Sequence, residues 1–128
     1  MNKKLVNGKV MGELESEIMD IIWGHKETVS VKTVADILKI RRKIAYTTVM
    51  TVMARLVSKG ILIRRLNGSS YLYKPKVSKD KFIAKTVHNI FSSSISALGD
   101  EVLTHFVKEI QKVSPQKRQD LLKILDNK

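Results

Sequence analysis

No cysteine occurs in the 128 residues. That excludes disulfides, zinc ribbons and thiol redox sensing, and it fits a reducing compartment. No apolar run approaches the ~18 residues that a membrane span needs, so no membrane insertion is expected. The opening MNKKLVNGKVMGELE carries early lysines but no continuous apolar stretch behind them, which is not the pattern of a signal peptide. The expected location is the cytoplasm. Chemistry is missing as well. His25, His88 and His105 are scattered, and none stands at metal-ligand spacing from another ligand. There is no glycine-rich phosphate loop and no nucleophile elbow. Glu13 and Glu17, four apart on one helix face, read as surface charges near a helix start. The sequence therefore predicts no enzyme, no metal and no cofactor.

The most telling absence is local. Lys and Arg number 24 against 12 Asp and Glu, for a formal net charge of +12. Between Asp36 and Asp80 there is no acidic residue at all, while residues 37–79 hold eleven positive charges. Self-repulsion on that scale is best relieved by a polyanion. The 43% hydrophobic content is enough for a core, and the 28% charged content marks a soluble chain of one ordinary domain or two very small ones.

Within the acid-free segment lies the stretch around which the chain is organised, IAYTTVMTVMARLVSKGILIRRLNGSSYLYKP, from Ile44 to Pro75. Ala45, Val49, Val52, Met53 and Leu56 repeat at helical spacing and predict an inner face. The opposite face carries Thr47, Thr48, Thr51, Arg55 and Ser58. It is small and hydroxylated, it has no carboxylate, and it can lie against a duplex. Gly60 predicts the helix stop. Ile61–Leu66 and Tyr71–Lys74 predict two strands joined by a turn at Asn67-Gly68. Arg64 and Arg65 stand before that turn, Ser69 and Ser70 after it. A helix followed at once by a basic hairpin is the order of a winged helix-turn-helix.

The flanking segments complete that order. Residues 1–10 read as a basic arm. Leu14, Ile18, Ile21 and Ile22 predict a first helix over Gly12–Trp23, with Glu13, Glu15 and Glu17 near its positive end. Trp23 is expected to anchor the core against the wing. Ser30 is placed to cap a second helix running to about Ile40, and Arg41, Arg42 and Lys43 link it to the third. From Val77 the composition changes. A fourth helix is expected over Lys79–Ser92, a loosened stretch at Ser92–Ser94, a fifth helix capped by Asp100, and a sixth opening at Ser114-Pro115 with Leu121, Leu122, Ile124 and Leu125 facing inward. These helices are too few to bury such wide apolar stripes alone. The expected organisation is a winged-helix domain over residues 1–76 and a helical dimerisation region over 77–128, mainly α with one small β-hairpin. Phe82, Ile83, Val87, Phe91, Leu103, Phe106 and Val107 are the expected dimer contacts.

Several of these runs carry a resemblance. Leu14 through Trp23 (LESEIMDIIW) is similar to the first-helix signature of the BlaI/MecI/CopY family of bacterial repressors, a Glu-x-x-[Ile/Val]-Met-x-x-[Ile/Leu]-Trp pattern. Ala45-Tyr46-Thr47-Thr48-Val49 with Arg55-Leu56 and Lys59-Gly60 resembles the family's recognition helix. Tyr71-Leu72-Tyr73-Lys74-Pro75 resembles its wing strand. The resemblance spans residues 14–75 closely and the later helices more loosely. It implies a homodimeric winged-helix repressor on a pseudopalindromic operator. In β-lactam-responsive members it further implies a membrane-bound sensor protease as partner and a cut at an Asn-Phe bond in the dimerisation region. The matching position here is His105-Phe106, without the Asn. Copper-responsive members carry C-terminal cysteine pairs, and a chain with no cysteine excludes that chemistry.

The reading that unites these features is a dimeric DNA-binding transcriptional repressor. Thr47, Thr48, Met50 and Thr51 are the expected groove contacts, with Met50 placed to meet a thymine methyl. Arg42, Lys43, Arg55, Arg64, Arg65 and Tyr71 are the expected phosphate contacts. The rivals are a basic RNA- or ribosome-associated protein, which would stack bases on Tyr71 and Tyr73, and a winged protein–protein adaptor, against which the acid-free segment argues.

Overall fold

The computed structural model describes residues 11–126; the expected basic arm, residues 1–10, lies outside them. In chain order the elements are α1 (Glu13–Trp23), α2 (Val31–Arg41), α3 (Tyr46–Ser58), β1 (Leu62–Asn67), β2 (Ser70–Pro75), α4 (Lys79–Leu98), α5 (Glu101–Gln111) and α6 (Pro115–Asp126). This is the winged-helix order, three helices and a hairpin, followed by three more helices. The chain falls into two compact units, the first ending at Ile83 and the second beginning at Ala84.

In the first unit, one core collects the apolar face of every element. Ile18, Met19 and Ile22 of α1, Val34 and Leu38 of α2, and Val49, Met53 and Leu56 of α3 are all buried, and Leu62 and Tyr73 close the core from the hairpin. Full burial of one such side chain is worth about 1.5–3 kcal/mol, so this cluster dominates the unit's stability. Ala45 departs from the expected inner face of α3: it is the exposed N-cap residue, one position outside the helix.

The helix boundaries follow from local chemistry. The Ser30 hydroxyl accepts the Thr33 amide at 3.1 Å and starts α2. At the end of α3, Gly60 takes a φ of +77°, and the Ile61 amide donates to the Leu56 carbonyl at 3.0 Å. That six-to-one bond is a Schellman closure, which a left-handed glycine permits without strain. It turns the chain straight from α3 into β1.

The hairpin turn lies one residue later than expected. Asn67 pairs with Ser70, so the two-residue loop is Gly68-Ser69, with Gly68 at φ +67° as its first residue. In this register Leu62 and Tyr73 lie on the same, core-facing side of the ribbon. Both backbone groups of Tyr73 also bond to Val29, at 2.8 and 2.9 Å, so β2 is held on both edges there. Tyr73 is 2% exposed, which removes it from the expected pair of stacking aromatics.

Trp23 packs, half-buried, against the core and also reaches the start of α4. Its ring lies 5.4 Å from that of Phe82, and its indole N–H donates to the Val77 carbonyl at 3.1 Å.

In the second unit, α4 continues through Ser92–Ser94 to Leu98 instead of loosening. The Ser94 hydroxyl donates back to the Ile90 carbonyl at 2.7 Å, a bond that keeps serine compatible with a helix. Gly99, at φ +83°, makes the break. Asp100 precedes α5 but makes no side-chain cap; its backbone carbonyl takes the Leu103 amide instead. Ser114 opens α6, its hydroxyl accepting the Lys117 amide at 3.3 Å. The four apolar residues of α6 do not face inward in the single chain. Leu121, Leu122, Ile124 and Leu125 are 40–69% exposed.

Candidate nucleic-acid interface

The hydroxyl-bearing face of α3 is built by its period. With Val49, Val52, Met53 and Leu56 turned into the core, Thr47, Thr48, Thr51, Arg55 and Ser58 all come to the surface. Thr51 spends its hydroxyl proton on the Thr47 carbonyl, at 2.9 Å, and keeps only acceptor capacity outward. Met50 and Tyr46 flank the hydroxyl row, 43% and 45% exposed. Tyr46 escaped the sequence reasoning; its signal was an aromatic residue at the first helical position, beside Thr47.

The N-terminus of α3 is open. Its N-cap Ala45 offers no side-chain acceptor, and its first turn holds no acidic residue. The first amides of a helix carry its positive end, so an uncapped, acid-free start is suited to an anionic oxygen.

The cations divide into two groups. Three of the eleven in residues 37–79 are bound by carboxylates of α1. Lys59 meets Glu15 at 2.7 Å, Arg42 meets Glu17 at 2.6 Å, and Lys79 meets Asp20 at 3.1 Å. The remaining eight, which include Lys43, Arg55, Arg64 and Arg65, have no ion pair among the described residues. Arg42 is thus shared: one N–H goes to Glu17, and its guanidinium, with the side chain 41% exposed, keeps other donors.

The Glu15–Lys59 pair is the least exposed of these contacts, with side chains 8% and 27% exposed. Burial pushes the Glu15 carboxyl up, but three opposing effects outweigh it: the Lys59 hydrogen bond, the Gly12 amide at 2.9 Å, and the charges of Lys59 and Arg55. The net result holds Glu15 below its ordinary value. No sequence signal marked this pair, because its partners stand 44 residues apart.

On the wing, strand alternation separates the two arginines. Arg64 pairs across from Tyr73 and Arg65 from Leu72, so their side chains leave opposite faces of the ribbon. Arg64 lies 4.2 Å from the centre of the Tyr71 ring, a cation–π contact that stiffens it at the surface. Tyr71 itself is 40% exposed.

Of the expected dimer contacts, Ile83, Val87, Phe91, Leu103 and Val107 are exposed in the single chain. Phe106 is half-buried, its ring 5.3 Å from Phe91. Phe82 is engaged within its own chain, on Trp23. His105 and Phe106 sit mid-way along α5, in continuous helix. Among the described residues no helix is long and apolar enough to cross a membrane, and no three His, Cys or acidic side chains gather as a metal site.

Comparison with known proteins gives consistent matches. The family model described as penicillinase repressor matches residues 11–127. The chain is 33% identical over 101 residues to the transcriptional regulator BlaI of Mycobacterium tuberculosis, covering 78% of this chain and 73% of that protein. It is 23% identical over 118 residues to a penicillinase repressor of Bacillus licheniformis, covering 91% and 89% of the two chains. A penicillinase repressor of Staphylococcus aureus is 24% identical over 116 residues, covering 89% and 91%.

Proposed function

Because the chain belongs to the penicillinase repressor family, a family of transcription regulators and not of enzymes, we propose that it represses transcription by binding a pseudopalindromic DNA operator as a homodimer. It acts in the cytoplasm. The observation that carries the DNA reading is the pairing of an uncapped, acid-free helix start with an exposed threonine row, beside eight cations that no carboxylate neutralises. In this reading α3 enters the major groove with Thr47, Thr48, Met50 and Thr51 toward the bases. Arg42, Lys43, Arg55, Arg64, Arg65 and Tyr71 meet the backbone, which supplies most of the affinity and all of its salt dependence. The RNA alternative is weakened by the burial of Tyr73, which leaves Tyr71 as a lone aromatic on the hairpin.

Residues 77–128 are proposed as the pairing region. None of α4, α5 and α6 has a buried residue, although each carries apolar side chains on its surface. An exposed apolar surface of that extent calls for a partner, and a second copy of the same helices is self-complementary by symmetry. Immunoprecipitation of bound DNA, followed by footprinting, tests the function. A protected palindrome with two half-sites about one helical turn apart is expected. Protection without sequence preference would overturn the operator reading, and sedimentation as a monomer at micromolar concentration would overturn the dimer.

A further inference from the structure

The chain between β2 and α4 is held at every step. The Lys76 amide donates to the Ile61 carbonyl at 2.9 Å, which extends the hairpin pairing past Pro75. The next carbonyl, that of Val77, takes the Trp23 indole N–H at 3.1 Å. Lys79 meets Asp20 at 3.1 Å, and Phe82 packs its ring on Trp23. Trp23 therefore touches the connection twice, once through its N–H and once through its face. The Lys79–Asp20 pair has side chains more than half exposed and adds little on its own. The indole is the group that binds the first turn of α4 to α1.

We infer that Trp23 is a positioning residue for operator spacing: by clamping Val77 and Phe82 it removes slack between the reading domain and the pairing helices, so that only one separation of half-sites is bound by both copies at once. The inference rests on the dimeric operator reading above. Its physics is that of linked binding. The second contact gains from linkage only while the connection can span the sites, and the gain is lost when geometry forbids both contacts together. Moving one half-site by two base pairs shifts it by about 7 Å and rotates it by about 70° around the duplex, from the helical repeat. A connection with no slack cannot follow such a move. A freed one, released from α1 at Val77 while Pro75 and Lys76 stay paired in the hairpin, can hinge there to follow it.

The test compares full-length protein on operators whose half-sites are set at the native separation and at two base pairs more or fewer. For the unmodified chain the shifted operators should bind ~10²-fold more weakly, the size of a lost linkage gain. Trp23→Leu keeps apolar bulk at the rim of the core but removes the N–H and the ring. It should hold native-spacing affinity within about threefold while binding the shifted operators within about tenfold of it. Trp23→Phe keeps a ring on Phe82 and removes only the bond to Val77, so it covers the case in which Trp23→Leu does not fold; it should widen the tolerance in part. A purely structural role would weaken all spacings alike. A spacing profile unchanged in folded Trp23→Leu, or in Trp23→Phe, overturns the inference. So does an unmodified chain that binds every spacing equally well. If the unmodified chain binds no palindrome at any spacing, the operator reading itself fails.

Discussion

The Lys59 ammonium, just past the end of α3, lies 2.7 and 2.9 Å from the two carboxylate oxygens of Glu15 in the first turn of α1. The contact joins the positive end of one helix to the negative end of another, so each charge also suits the dipole it sits on. It gives α1 a second task beyond filling the core. Three of its carboxylates hold three cations of the basic segment, and the end of α3 is fixed to the rest of the domain.

From this pair follows a ranking of stabilities. Glu15→Gln should destabilise by about 2 kcal/mol, because a charged hydrogen bond is lost but the lysine stem can swing into water. Lys59→Met should cost more, since it leaves a carboxylate that is 8% exposed without its counter-charge. The acid limb gives a second check. Glu15 is held below its ordinary 4.5, so its contribution is fully present above that pH and is lost as pH falls through the depressed value. Urea denaturation from pH 7 down to 3 should show the difference between the parent chain and Glu15→Gln shrinking. A constant difference would mean that the pair is not the source.

Among the threonines, Thr48 should matter most for sequence preference. Thr48→Ala should weaken operator binding by about 1 kcal/mol and relax the preference at one base pair. Thr51→Ala should have a smaller effect, because the Thr51 proton is already spent on Thr47. Competition binding against operators varied one base pair at a time distinguishes the two. If Thr48→Ala leaves affinity and preference untouched, α3 is not the reader.

The two wing arginines should behave differently. Arg64 is stacked on Tyr71, and Arg65 leaves the other face of the ribbon. Each Ala substitution should weaken binding to all sequences alike and lower the salt slope by about 1 if it removes a phosphate contact. Only Arg64 should couple to Tyr71. A double-mutant cycle on Arg64→Ala and Tyr71→Phe should be additive, because the ring survives, whereas Arg64→Ala with Tyr71→Ala should not. Equal coupling of both arginines to Tyr71→Ala would remove the stacking from the account.

How much of this was legible beforehand follows from the range of the interactions. The α3 pattern, Ser30, Gly60 and Ser114 were readable because period and capping are local. The hairpin turn falls one residue beyond the local Asn-Gly signal, at Gly68-Ser69, where Gly68 takes the left-handed conformation. The serine run in α4 was misread for a related reason: serine competes with helix when isolated, but a back-bond to Ile90 satisfies it. Trp23 with Phe82, and Glu15 with Lys59, join positions 59 and 44 residues apart, and nothing local marks such pairs. The separation of Arg64 from Arg65 was in principle readable, since adjacent strand residues always face opposite ways.

The course of α4 and α5 bears on how repression ends. With no cysteine, the remaining physical route runs through the proposed pairing region, and the proposed event is proteolysis between Ser92 and Ser114, either at Ser92–Ser94 or, from the family position, at His105-Phe106. That bond lies inside α5, and Phe106 is stacked on Phe91, so a protease must first unwind the helix around it. A low-specificity protease should therefore cut elsewhere first: at the glycine joint 98–100, where the backbone leaves helix, and near 112–114, before α6. It should spare Ser92–Ser94, which is helical. Mass spectrometry of the first fragments checks this order. Cleavage at His105-Phe106 should then lower operator affinity by ~10²-fold while leaving half-site affinity unchanged, because only the linkage between the two reading helices is lost. The decisive measurement is the mass of the chain recovered from cells at derepression. An intact chain that has nonetheless left its operator would rule out control by cleavage.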